Sequence, residues 1–329
     1  MVSGEVHRTW RPGWPCPATA VLRQQRHGAG DPSYAVTLDG AHWRAQRTPE
    51  GPATLRVLAR PHDGEVDLTC WGPGADWLAE AAPGLLGAAD DVTGFRPHHP
   101  VVRDVWRRHG AWRLGRSGVL LDALVPAVIE QKVTGQEAFA SYAALLRRYG
   151  EPAPGPEPGD RPAGGRARTG AGVRPGRPLL VPPAPGTLAL VPSWEWLALG
   201  IDPGRSRTLV RVARVADSLE RAVGLEPAEV TRRLRTVPGV GVWTAAETTR
   251  RALGDADAVS FGDYHVAKDV GWALVGEPVD DAGMAELLEP YRPHRARVPE
   301  LLAVAGLRRP RHGARMSPRT HLPVRRRGR

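Results

Sequence analysis

The sequence predicts an α+β fold: a small N-terminal antiparallel β domain at 1–88, then an all-α core of two helical halves at 89–307. Three observations predict it. Residues 18–71 alternate apolar and polar positions in short runs, with turn signals between them, which is the period of half-buried strands. From about Asp90 the apolar spacing changes to three and four residues, the period of helices. A stretch of Pro, Gly, Ala and Arg interrupts the helical pattern without ending it.

In chain order, ATAVLRQQ, SYAVTLDG, HWRAQRT, TLRVLARP and EVDLTCWG read as four or five antiparallel strands. Asp39-Gly40 and Asp63-Gly64 have hairpin-turn chemistry. ADWLAEAAPGLLG predicts a short helix closing the domain. SGVLLDALVPAVIEQKVTGQEAFASYAALLRRYG is helical, with a break near Val133-Thr134-Gly135. Residues 151–178 are nearly all Pro, Gly, Ala and Arg and bury too little apolar surface to offset ordering entropy. They predict a disordered insert at 151–180 inside the helical region, because helical patterns resume at SWEWLALG. RSRTLVRVARVADSLERAV and PAEVTRRLRTV follow; Pro227 suits a helix start, and Val230, Leu234 and Val237 share one face. The pattern runs on through WTAAETTRRALG, YHVAKDVGWALVG, DAGMAELLEPY and RARVPELLAVAGL, without a solenoid repeat.

The net charge is +10, and nine of the 45 Lys and Arg residues fall at 308–329, where there is no acid. The remaining 36 nearly balance 35 acids, so the basicity is mostly a C-terminal tail, suited to a polyanion or to solubility. Only Lys132 and Lys268 are lysines. No apolar run reaches the length of a membrane span and the N-terminus lacks a signal-like segment, so a cytoplasmic location is expected. Cys16 and Cys70 are too few for a four-thiolate iron–sulfur or zinc site, and free thiols are expected. The histidines show no metal spacing; His98-His99 reads as a solvated loop. Trp194 and Trp196 read as core, Asp255 and Asp257 as loop solubilisers, and GDADAVSFGD as short of a calcium loop.

The chemistry concentrates in LRTVPGVGVWTAAETTRRALGDADAVSFGDYH, Leu234 to His265. One helix ends, Gly239 and Gly241 allow a tight hairpin, and a second helix starts at Val242 or Trp243. The hairpin amides and those of the next first turn then converge on one spot, which suits a phosphate. Such a helix-hairpin-helix grips a nucleic-acid backbone without reading sequence, although PGVG alone could be an ordinary turn. Asp263 could cap the helix after it, or serve as the acid that stabilises positive charge on a sugar during N-glycosidic cleavage.

This segment resembles the signature of the helix-hairpin-helix DNA glycosylase superfamily, and most nearly its DNA-3-methyladenine glycosylase II (alkylpurine) type. LRTVPGVGVWTA resembles the family hairpin and GDYHVAK its catalytic loop. IEQKVTGQEA at 129–138 resembles the segment facing the lesion, and GIDPGRSRTL at 200–209 the helix start between them. The likeness spans roughly 18–150 and 180–307, β domain included.

The resemblance implies that Asp263 is the catalytic carboxylate and that Gly239, Gly241 and Thr244 grip phosphate through their amides. It implies a structural monovalent cation on the carbonyls of Arg235, Val237 and Val240, and no cofactor for catalysis. Strand-cutting relatives carry a lysine at the position of Trp243; tryptophan cannot form a Schiff base, so a monofunctional enzyme using water is implied. Trp243 would line the base pocket, where a cationic alkylated purine gains about 0.5–2 kcal/mol from the indole; otherwise it is a core residue. The family wedges a side chain into the gap left by the flipped base from the segment matching Gln131-Lys132-Val133, and Lys132 stands where a leucine-like residue is usual. Ala303 and Val304, on the helix after Tyr291-Arg292-Pro293-His294-Arg295, stand where pocket aromatics are expected. The implied activity is excision of 3-methyladenine- and 7-methylguanine-type bases from damaged double-stranded DNA by a monomer. The alternatives are excision of oxidised or deaminated bases, or damaged-DNA binding without catalysis.

Overall fold

The computed structural model describes residues 4–159 and 178–310. Five strands form one antiparallel sheet in the order β1-β5-β4-β3-β2: β1 (Glu5–Trp10), β2 (Tyr34–Val36), β3 (His42–Thr48), β4 (Gly51–Arg60) and β5 (Glu65–Trp71). The Asp39-Gly40 and Asp63-Gly64 turns fall between β2 and β3 and between β4 and β5, as expected. The first strand is not where the sequence reading puts it. ATAVLRQQ forms α1 (Ala18–Leu22) and a 3-10 turn at Arg23–Gln25. Ala18, Val21 and Leu22 are its buried residues, at helical spacing, so the three-residue period wins over the alternating one. The fifth strand is β1, an edge strand with Glu5, His7 and Thr9 exposed, which gives it little apolar signal.

The sheet buries Leu55, Leu68 and Cys70 against Leu78, Ala82 and Leu85 of α2 (Ala75–Leu85). Its other core holds Trp43 stacked on Trp71, with ring centres 5.3 Å apart and planes 4° off parallel. Leu179 and Val181 cover that pair from a two-stranded ribbon, β6 (Glu151–Pro152) with β7 (Leu180–Val181). The ends of the stretch expected as a disordered insert are therefore ordered, because the ribbon finds an aromatic pair to bury against. Residues 160–177, the bulk of that stretch, lie outside the described residues, as do 311–329 of the basic tail.

The helices assemble into two halves with separate cores. The chain first lays down α3 (Pro100–His109), which belongs to the second half. It then builds the first half from α4 (Leu120–Ile129), α5 (Gly135–Tyr149), α6 (Pro185–Leu190), α7 (Ser193–Ala198), α8 (Pro203–Arg214), α9 (Ala216–Glu220), α10 (Pro227–Leu234) and α11 (Val242–Leu253). It returns to α3 with α12 (Val266–Val275), α13 (Asp281–Leu288) and α14 (Arg297–Val304). Val133-Thr134-Gly135 breaks α4 from α5 as expected, with Thr134 and Glu137 closing a capping box. A buried Arg44–Asp122 ion pair ties β3 to α4.

Four surface readings change. Trp196 is buried, but Trp194 is 70% exposed, because positions i and i+2 lie about 200° apart around a helix and face opposite sides. His99 is no solvated loop residue: its Nδ1 lies 2.7 Å from the Tyr291 hydroxyl, which also accepts its backbone N–H. Asp257 is an ion-pair partner, accepting from the Arg295 guanidinium at 2.8 and 2.6 Å. Asp255 accepts the Asp257 N–H at 2.9 Å, and burial pushes its carboxyl up from the usual range. Cys16 and Cys70 are free thiols.

Candidate active site

Helix α10 ends at Leu234, and the chain turns through Val237-Pro238-Gly239-Val240, closed by the Val240 N–H donating to the Val237 carbonyl at 2.9 Å. Gly239 has φ +102°, and a Cβ there would stand 2.0 Å from Thr208 Oγ1 of α8. Both facts demand glycine. Gly241 is different. It is the N-cap of α11 with φ −91° and ψ −174°, an extended conformation open to any residue, and a Cβ would meet nothing within 4 Å. Its missing side chain serves access rather than the turn. The first N–H groups of any helix lack an intrahelical acceptor, and those of α11 open beside the exposed Gly239, Gly241 and Val242. The arrangement can hold an anion.

The hairpin is braced from the other side by the α4–α5 turn. Gln131 Nε2 donates to the Gly239 carbonyl at 3.0 Å and to Thr244 Oγ1 at 2.8 Å. Three residues expected at the nucleic-acid surface thus meet, but Gln131 and the buried Thr244 spend their side chains on each other. Lys132, beside Gln131, is exposed and holds φ +54°, a left-handed conformation uncommon for a lysine. It stands at the tip of the turn.

Asp263 and Trp243 are brought into contact. The indole Nε1–H donates to Asp263 Oδ2 at 3.1 Å. Asp263 Oδ1 accepts the N–H groups of His265 and Val266 at 2.7 and 3.0 Å, at the start of α12. Asp263 thus stands two residues before the N-cap, His265; one oxygen holds the first amides of the α12 start while the other faces the indole. Trp243 is half-buried, unlike the enclosed Trp112 and Trp196, so it is not a core tryptophan.

A second rung joins the same two elements. One turn beyond Trp243, the buried Glu247 accepts the Ser260 hydroxyl, three residues before Asp263. Glu247 also pairs with Arg250, at 2.6 Å, and Arg251, and Arg250 reaches Glu300 on α14. Burial pushes the Glu247 carboxyl up, but the two guanidinium groups and the Ser260 hydroxyl outweigh it and hold the carboxyl down at about 2. This network fixes the loop carrying Asp263 to α11. The sequence reading missed it, since only the i,i+3 and i,i+4 arginines are visible in the sequence.

Tyr264 belongs to the GDYHVAK segment. It is 73% exposed beside Asp263, with Lys268 Nζ 3.8 Å from its ring centre. Ala303 is exposed and Val304 half-buried at the end of α14. Among the described residues no group of three His, Cys, Asp or Glu side chains could hold a metal. Arg235 is the C-cap of α10, the Val237 carbonyl accepts the Val240 N–H, and Val240 precedes the N-cap of α11.

An antiparallel sheet, two helical halves and a hairpin joining α10 to α11 make up a fold shared with solved DNA glycosylases. Among solved structures, the 3-methyladenine DNA glycosylase of Archaeoglobus fulgidus matches with a TM-score of 0.70 and 16% identity, over 91% of this chain and 98% of that one. The 8-oxoguanine glycosylase/lyase of Clostridium acetobutylicum matches with a TM-score of 0.65 and 11% identity, over 92% and 99%. Its complex with double-stranded DNA holding cytosine opposite 8-oxoguanine gives 0.66 and 11%, over 93% and 98%. At these identities the likeness is one of fold. No protein-family model matches the chain, and no curated protein matches it significantly. Among the described residues no helix is long and apolar enough to cross a membrane.

Proposed function

We propose that the chain is a monofunctional DNA glycosylase acting in base-excision repair, which releases alkylated purines of the 3-methyladenine and 7-methylguanine type from duplex DNA. The observation that carries this reading is the Trp243–Asp263 contact beside a phosphate-competent hairpin. The hairpin holds the backbone through the amides of Gly239, Gly241 and Thr244, and the damaged base turns out of the stack at a cost of a few kcal/mol. Lys132 enters the gap from the turn that Gln131 braces. A base alkylated at N3 or N7 is cationic, and the Trp243 face attracts it.

The bond from C1′ to the purine nitrogen breaks with its electron pair passing to the base, which leaves neutral. The sugar becomes positive at C1′ and O4′, and the Asp263 carboxylate stabilises that charge. A water oxygen bonds to C1′ and loses a proton, which Asp263 can accept, leaving an abasic site. The three N–H donors fix the carboxylate's orientation beforehand. The carbonyls of Arg235, Val237 and Val240 would hold a monovalent cation that adds positive charge near the phosphate. The partner is damaged double-stranded DNA, bound by a monomer in the cytoplasm at the nucleoid.

Excision of oxidised bases is the second reading, favoured by the fold shared with an 8-oxoguanine glycosylase/lyase. Trp243 weighs against lyase chemistry, having no amine. The test is a set of duplexes, each with one alkylated purine, one 8-oxoguanine or one deaminated base, assayed with and without alkali. Release of the alkylated purine with strands cut only after alkali is expected. Preferential 8-oxoguanine release, or direct strand cutting, would overturn the assignment.

A further inference from the structure

Helix α8 carries a basic stripe that the hairpin reading leaves unused. Arg207, Arg211 and Arg214 are all exposed and spaced i, i+4, i+7. At about 100° per residue they fall within a sector of roughly 60°, and they span about 10 Å along the helix. Some other surface arginines are matched: Arg232 and Arg233 pair with Glu229 on α10, Arg60 with Asp67, Arg11 with Glu65 and the half-buried Arg56 with Asp39, whereas the exposed Arg23, Arg103, Arg221 and Arg235 form no ion pair but belong to no such row. Among the described residues no carboxylate lies within ion-pair distance of the α8 three. The Arg211 guanidinium instead donates to the Pro238 carbonyl of the hairpin at 3.3 Å.

The stripe is also locked in register with the hairpin. Thr208, between Arg207 and Arg211, is the side chain that Gly239 packs against closely enough to exclude a Cβ. A rigid row of like charges beside an anion site, each repelling the next, fits a row of anions. We infer that α8 is a second backbone-binding element, whose Arg207, Arg211 and Arg214 hold phosphates of the DNA strand next to the phosphate taken by the hairpin. The inference rests on the DNA-glycosylase reading and extends its footprint from the hairpin onto α8. These are phosphate contacts, so they set affinity and register without sequence preference.

The experiment uses the full chain and an undamaged duplex, with binding followed by fluorescence anisotropy. Wild type is compared with the Arg207→Gln, Arg211→Gln, Arg214→Gln triple variant. A charge-matched control carries Arg11→Gln, Arg56→Gln and Arg60→Gln. Each phosphate contact contributes about 0.9 to the slope of log affinity against log salt, so the α8 variant should lose about 2–3 from that slope. Between about 50 and 200 mM salt its affinity should then fall roughly fortyfold less than wild type's does. Its excision at sub-saturating enzyme should fall in proportion to its binding. An unchanged slope, or an equal change in the control, overturns the inference and leaves the glycosylase reading standing. Absence of duplex binding by wild type itself overturns both. A steeper excision defect than binding defect would make the stripe part of the chemistry and refute a backbone role.

Discussion

Trp243→Phe separates the two roles that the proposed function gives this side chain. It removes the indole N–H and keeps an aromatic face. The lost interaction is the 3.1 Å bond to Asp263 Oδ2, while the bonds to the amides of His265 and Val266 remain. A hydrogen bond to a charged acceptor contributes about 1.5–3 kcal/mol. If that bond persists in the transition state, its loss slows single-turnover excision roughly 10- to 150-fold. Binding of duplex containing the alkylated base should weaken far less, since phenylalanine still offers a ring to the cation. Excision under single turnover and anisotropy of an Asp263→Asn background, which holds substrate uncleaved, measure the two effects apart. A normal rate with weakened binding would assign Trp243 to stacking alone. A normal rate with normal binding would refute its place in the site.

Other perturbations test the supports. Gly239→Ala meets Thr208 Oγ1 at 2.0 Å and must adopt φ +102°, so it should cost about 1–3 kcal/mol and weaken damaged and undamaged duplex equally; Gly241→Ala should leave the melting temperature unchanged. Glu247 has a folded-state value of about 2 against 4.5, so its contribution is present above pH 4.5 and is lost as pH falls towards 2. The stability gap between wild type and Glu247→Gln, read from urea unfolding, should therefore narrow by roughly 3 kcal/mol across that window; a constant gap would contradict the pairing. Lys132→Gly relieves a left-handed lysine and should raise stability by up to about 1 kcal/mol, while excision slows because nothing fills the gap.

What the sequence made legible was local. Helices α4, α5 and α7 to α14 follow from apolar spacing, and the hairpin with Asp263 follows from one contiguous motif. Trp243 was recognisable because it sits at a fixed offset from the glycines. Most of the misses are long-range. Strand β1 pairs with β5 across 56 to 66 residues and has few apolar residues of its own. Helix α1 is too short for its period to outweigh strand-like composition. The β6–β7 ribbon is ordered only because Trp43 and Trp71 offer it a surface. Within the site, Gln131 faces the hairpin as a brace and Glu247 clamps the Ser260 loop, and neither partner could be deduced from spacing.

The measurement that bears most directly on the central claim is base release from methylated duplex DNA, resolved by chromatography, for wild type beside Asp263→Asn. Asparagine keeps the size of the side chain and an oxygen for the α12 amides, so the variant should fold and bind DNA. Wild type should release 3-methyladenine or 7-methylguanine, and the variant should release neither. Equal release by both proteins would contradict a catalytic role for Asp263, and release by neither, with DNA binding intact, would contradict the alkylpurine assignment.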